Sequence, residues 1–215
     1  MSGKNIIIIL VGIMVLGGLM AAFLGNKKDV LPQTALKNSD WKRGAVNSKV
    51  SLIEYGDFQC PACAAYEPVI QKLQENFKDD LIFSYRHFPL SQIHQNALPS
   101  AKASEAAGLQ NKFWEMHYLL YKTQLDWSLS TNPKEIFIDY AKTLELDIAK
   151  FERDLKLSSI DEKIKSDFVD GTKLGIQGTP TFFLNGKKIE NPRSYEDLKK
   201  IIESATENNN AQIKQ

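Results

Sequence analysis

Apolar residues open the chain in an unbroken, uncharged run at 6–24, IIIILVGIMVLGGLMAAFL. As a helix this run would be about 28 Å long at ~1.5 Å per residue, which matches one hydrocarbon core. Secretory signals have a shorter apolar stretch and a small-residue cleavage site, and no such site precedes Lys27. The expectation is an uncleaved transmembrane anchor at 6–24 behind a short cytoplasmic terminus at 1–5. Residues 25–47 are polar with no sustained period and predict a linker. The folded domain is expected at 48–205. Residues 50–55, VSLIEY, predict a strand; after Cys60, Val69, Ile70, Leu73 and Phe77 recur at helical spacing; and 81–88, LIFSYRHF, predict a second strand. Strand, helix and strand in that order suit a parallel crossover. The chain then reads as helical from about 92 to 174. Asn132-Pro133 supplies one helix start and Leu146-Asp147 breaks the period. Residues 181–184 and 187–190 flank Asn185-Gly186 as a hairpin, a final helix is expected at 194–205, and 206–215 reads as a flexible tail. The fold class is therefore α/β with a helical insertion, placed at about 91–165, and a transmembrane helix ahead of it.

Charge adds an exclusion. Lys and Arg number 27 against 26 Asp and Glu, so no global field attracts nucleic acid. Two cysteines are too few for a disulfide framework or a four-thiolate zinc site, but Cys60 and Cys63 form a Cys-x-x-Cys pair between a strand and a helix. Unpaired N–H groups at a helix start stabilise a thiolate, which makes Cys60 the nucleophile. Cys63, one turn on, can close a ring with it and expel a bound partner. Pro61 fits the first turn, where its missing N–H costs nothing. Zinc would have to recruit from His87, His94 and His117, which lack ligand spacing; copper on both thiolates and a histidine is the remaining metal alternative. No metal or organic cofactor is expected. Thr179-Pro180 stands where a cis peptide is affordable, with an ordinary trans proline as the alternative. Alternation places Glu54 with Val50 and Leu52, so its carboxyl is expected in apolar surroundings with a raised pKa, able to exchange protons with Cys63. The alternative is a solvent-facing strand residue. Phe58 and Tyr66 flank the cysteines, either as an apolar rim or as core. Trp114, His117 and Tyr121 recur at helical spacing, which favours packing.

The segments EYGDFQCPACAAYEP, YRHFPL, KFWEMHYLLY and GIQGTPTFFLNGK, in this order, resemble the DsbA-like thiol:disulfide oxidoreductases of the thioredoxin superfamily. The resemblance spans about 40–205. It implies a thioredoxin fold with an inserted helical domain, a Cys60–Cys63 redox pair, a cis Pro180 facing it, and Glu54 as the buried acid. The Thr179 backbone would pair with a substrate segment as an added strand. Pro61, Ala62 and Phe58 complete the expected substrate-binding surface. The strongest oxidants of the family carry histidine between the cysteines, where this chain has Pro61-Ala62. A Cys60 pKa between ~3.5 and ~7 is therefore expected. The implied activity is disulfide donation to secreted or membrane proteins on the extracytoplasmic side of the cell membrane, with reoxidation by a DsbB- or VKOR-type quinone reductase. The alternatives are a reductase or isomerase kept reduced by a membrane donor, and a copper chaperone or non-catalytic binding module. Residues 25–47 are too few for the dimerisation domain that isomerases of this superfamily use.

Overall fold

The structure is a computed structural model that describes residues 33–213 except Val46. The expected anchor at 6–24 lies outside the described residues. The elements are β1 (Trp41–Gly44), β2 (Val50–Gly56), α1 (Pro61–Asn76), β3 (Leu81–His87), α2 (Ala97–Gly108), α3 (Phe113–Lys122), α4 (Gln124–Trp127), α5 (Pro133–Thr143), α6 (Ile148–Asp154), α7 (Ser158–Lys173), β4 (Thr181–Leu184), β5 (Lys187–Lys188) and α8 (Tyr195–Ile213). The sheet runs β1-β3-β2-β4-β5, with β2 and β3 parallel through α1 and the remaining pairs antiparallel. The helices α2 to α7 enter between β3 and β4, so the α/β core carries the helical insertion that the pattern predicts.

Alternation along β2 divides the core. Val50 and Leu52 pack with Ile70, Leu73, Phe83, Tyr85 and both cysteines, whereas Ile53 and Tyr55 pack with Phe88, Ile176 and Phe183 on the other face. Glu54 therefore points to the cysteine side. A Cβ on Gly56 would meet the Tyr85 ring at 2.5 Å, so glycine at the end of β2 lets that ring close under the active-site turn.

Three boundaries differ from expectation. The folded part starts before 48: β1 pairs with β3 from Trp41↔Tyr85 to Gly44↔Ile82, and Gln33 bridges to Lys187. A four-residue edge strand with alternating exposure and two basic residues gives too short a pattern to stand out from a tether. It is pinned from within: the buried Arg86 guanidinium donates to both carboxylate oxygens of Asp40, 3.0 and 2.7 Å, and to the hydroxyls of Tyr55, 2.8 Å, and Thr34, 2.7 Å. Asp40→Ala is expected to lower stability by about 2–3 kcal/mol, because Arg86 keeps hydroxyl partners but loses its counter-ion. Urea unfolding checks this, with the exposed Lys42→Ser as the neutral comparison. Second, α7 continues to Lys173, past the expected end of the insertion near 165. Third, α8 runs past the expected helix end at 205 to Ile213, with Thr206 Oγ1 bonded to the Ile202 carbonyl at 3.0 Å, because no glycine or proline follows Ala205 to stop it.

Candidate active site

Cys60 is the N-cap of α1 with extended backbone (φ −71°, ψ 120°), and Pro61 occupies the first turn. The preceding turn is fixed from both sides. Its Cys60 N–H bonds the Asp57 carbonyl at 3.0 Å, and the Asp57 carboxylate accepts from the Gln59 N–H at 2.8 Å. The helical insertion holds the turn from outside. Gln124 Nε2 donates to the carbonyls of Phe58, 2.7 Å, and Cys60, 3.0 Å; Gln59 accepts from the Asn96 N–H and donates to the Ser128 carbonyl, both at 2.7 Å. The nucleophile thus sits on a turn whose polar groups are satisfied by the insertion.

The two cysteines are free thiols with opposite electrostatics. The Cys60 pKa is lowered to about 5, first by the hydrogen bond from the Cys63 thiol, against the cost of burial, then by the Thr179 side chain and the amides of Cys63 and Ala62. As a thiol, Cys60 instead donates to the Thr179 carbonyl at 3.3 Å, and the buried Thr179 hydroxyl is unpartnered. That hydroxyl is a donor held for the anion. Burial first, then the hydrogen bond to Cys60 and the nearby Glu54 charge, raise Cys63 well above its ordinary value. The Thr179-Pro180 peptide is cis.

Glu54 is 2% exposed, and its Oε1 has no hydrogen-bond partner. Burial chiefly, and then the charges of Glu67 and Cys60, outweigh Arg43 and raise its pKa well above 4.5. Beneath it, Glu67 Oε1 lies 3.8 Å from Arg43 and 3.7 Å from His117 Nδ1. Burial also raises Glu67, whereas burial followed by the Arg43 and His87 charges holds His117 well below 6.5. Sequence reasoning missed Glu67, Arg43, Gln124 and Asp57. Glu67 had a signal, since it stands four residues after Cys63 on the stripe that continues through Ile70 and so shares the buried face. Gln124 had none, because its role depends on where the insertion folds back.

The structure thus brings Cys60, Cys63, Glu54, Thr179 and Pro180 into one place, with Pro61 and Ala62 exposed above the sulfurs. Phe58 is a correction. Expected at the substrate-binding surface, it is 1% exposed and packs against Tyr85, His117 and Tyr121, because the turn after β2 directs it inward. Tyr66 is half-buried, with its hydroxyl on the Pro192 carbonyl at 2.5 Å. The histidines keep away from the sulfurs as partners: His87 Nε2 meets Glu105 at 2.8 Å, His94 Nδ1 meets Asp57 of the active-site turn at 2.7 Å, and His117 is buried among aromatic rings beside Glu67. Among the described residues no cluster of His, Cys, Asp and Glu is arranged to hold a metal.

Residues 37–204 match the family model described as Thioredoxin. BdbD from Bacillus subtilis, oxidised, is similar in structure with a TM-score of 0.73 and 26% identity, over 83% of this chain and 98% of that one. Wolbachia pipientis alpha-DsbA1 shares the fold at a TM-score of 0.74 and 21% identity, over 83% and 96% of the two chains. Among curated relatives, the Na(+)/H(+) antiporter NhaA 1 of Mycolicibacterium gilvum is 36% identical over 169 residues, which cover 77% of this chain and 26% of that protein. The protein of the same name from Salinispora arenicola is 38% identical over 167 residues, 77% of this chain and 24% of that protein. This chain spans about a quarter of the length of these curated relatives. The family match over most of the described chain and the likeness to BdbD agree with the thioredoxin core and helical insertion described above, and the chain belongs to the thioredoxin superfamily as a DsbA-like thiol:disulfide oxidoreductase.

Proposed function

We propose that the protein donates the Cys60–Cys63 disulfide to reduced proteins on the extracytoplasmic side of the cell membrane. The observation that carries this reading is the asymmetry of the pair, about 5 for Cys60 against a Cys63 held well above its ordinary value. A substrate thiolate attacks Cys60 Sγ, the Cys60–Cys63 bond breaks, and Cys63 leaves with the electron pair and takes a proton from Glu54. A second substrate thiolate attacks the first substrate sulfur and expels Cys60 as a thiolate. The substrate is then oxidised by two electrons and the pair reduced by two. A stable Cys60 thiolate is a good leaving group and favours the reduced enzyme, which makes the disulfide oxidising. Pro180 and the Thr179 backbone flank the approach to Cys60, where an extended substrate can add as a strand. Exposed apolar side chains suit unfolded clients: Ile93, Leu125 and Leu129 are 74%, 91% and 83% exposed, on segments whose neighbours Asn96, Gln124 and Ser128 bond the active-site turn.

Membrane attachment is supported by the apolar run at 6–24 and by relatives in which a similar domain forms part of an antiporter. A quinone reductase of DsbB or VKOR type would return the pair to the disulfide. The test is the reduction potential together with the alkylation profile of Cys60. The potential is expected between about −270 and about −120 mV, with alkylation titrating near pH 5 rather than at the ~8.5 of free cysteine. A potential at or below the thioredoxin value would favour a reductase or isomerase. Stoichiometric copper on both thiolates would favour a binding module.

A further inference from the structure

Asp57 stands three residues before Cys60, and its side chain is fully buried. A carboxylate out of water must be matched by donors. Three reach it: the Gln59 N–H at 2.8 Å on Oδ1, and the Leu90 N–H at 3.0 Å and His94 Nδ1 at 2.7 Å on Oδ2. A carboxylate only accepts, so His94 carries a proton on Nδ1. The backbone of the same residue serves the cysteines. Its carbonyl takes the Cys60 N–H at 3.0 Å, and its amide hydrogen-bonds the Cys63 sulfur, easing the negative charge that burial opposes. Asp57 is therefore tied to both cysteines through its main chain, and to the segment between β3 and α2 through its side chain.

That segment is itself fixed before it meets Asp57. The His94 N–H is held by the Leu90 carbonyl at 3.0 Å, and the His94 carbonyl takes the Ala97 N–H at 3.2 Å where α2 starts. Two of the three donors on Asp57 follow from the path of the backbone, whereas the imidazole depends on which residue stands at 94. We propose that Asp57 and His94 are a positioning pair for thiol–disulfide exchange: the imidazole locks the carboxylate, and the carboxylate holds the turn that sets Cys60 Sγ in line for attack by Cys63. In that step Cys63, its proton passed to Glu54, forms the bond to Cys60 Sγ. The bond from Cys60 to the bound partner breaks, and the partner leaves as a thiolate with the electron pair. Such attack needs the three sulfurs aligned, so a small shift of the turn costs rate without removing any reacting group. The step is the same whichever way electrons flow in the cell, so a reduction potential at the thioredoxin value would remove the proposed donation and leave this pair standing.

The test uses the reduced full chain, oxidised glutathione and three variants: His94→Leu, His94→Asn and Asp57→Asn. Two rates are read at pH 7 by mass spectrometry of acid-quenched samples. One is formation of the Cys60–glutathione adduct, which needs only the Cys60 thiolate; the other is its release by Cys63. His94→Leu and Asp57→Asn are expected to slow release by ~10- to 10²-fold, the range that a displacement of about 1 Å costs, while formation stays near the wild-type rate. His94→Asn places an amide N–H where Nδ1–H stands and is expected to restore release. Loss of stability alone, measured by urea unfolding, does not separate the two rates in the folded protein. The double variant His94→Leu with Asp57→Asn should be no slower than the slower single one, because the two residues act through one contact. Release at the wild-type rate in both single variants, equal slowing of formation and release, or His94→Asn as slow as His94→Leu would each overturn the pair. Should Asp57→Asn not fold, the two His94 variants decide the matter, since that side chain is 17% exposed and tolerates replacement.

Discussion

Cys63→Ser is expected to turn a transient mixed disulfide at Cys60 into a persistent one. Mixed with oxidised glutathione, the reduced wild type exchanges at Cys60, and Cys63 then expels glutathione as the internal disulfide closes. The variant stops at the adduct. Cys63 sits one helical turn from Cys60 and already shares a hydrogen bond with it, so its attack is intramolecular. Effective molarities of oriented groups far exceed the millimolar concentrations of external thiols, and release of the adduct should slow by ~10³-fold or more. Mass spectrometry of acid-quenched samples measures the adduct directly. Rapid loss of glutathione from the variant would remove Cys63 from the exchange. The companion Cys60→Ser should form no adduct on this timescale, because burial keeps the remaining sulfur protonated and 1% exposed.

The parts of this site legible in the sequence are those set by local periodicity. Strand alternation places Glu54 on the cysteine face, and the strand-to-helix junction puts Cys60 at an N-cap, because both depend on neighbours a few residues away. Phe58 was illegible for the complementary reason. An aromatic beside a catalytic pair can face out or in, and the rings it packs on when it faces in, Tyr85 on β3 and His117 and Tyr121 on α3, lie about thirty to sixty positions later. The same holds for β1, whose place at the sheet edge depends on Arg86 reaching back to Asp40, and for Gln124, whose bonds to Phe58 and Cys60 exist because the insertion folds over the turn. Long-range polar contacts of this kind leave no period in the chain. Charge arithmetic gave no reason to expect a nucleic-acid partner but held no trace of the buried Arg43, Glu67 and His117 beneath Glu54.

Glu54→Gln separates what that buried carboxyl does for catalysis from what it does to stability. Cys63 is held protonated, so its attack on a mixed disulfide requires a base; Glu54, which acts on Cys63 through its charge and whose own pKa is raised, is the buried acid–base group that the two shifts implicate. Glutamine keeps the shape and removes the base. Release of a Cys60 adduct at pH 7 should slow by ~10²-fold. Cys60 alkylation should change far less, because its low pKa comes first from Cys63 and then from Thr179 and backbone amides. Stability moves the opposite way. A carboxyl whose folded pKa lies above 4.5 binds more protons folded than unfolded between those two values, so its contribution falls as pH rises through that window. Near pH 4 both states are protonated and glutamine gains nothing. Above pH 4.5 the variant should become progressively more stable than wild type, by about 1–4 kcal/mol at the plateau, as when other buried ionised groups are replaced by neutral ones. Urea unfolding at pH 4 and pH 8, with release kinetics on the same two proteins, reads both effects. Equal release rates would take Glu54 out of the mechanism even if the stability gain appeared, since burial alone produces the second effect and only proton transfer produces the first.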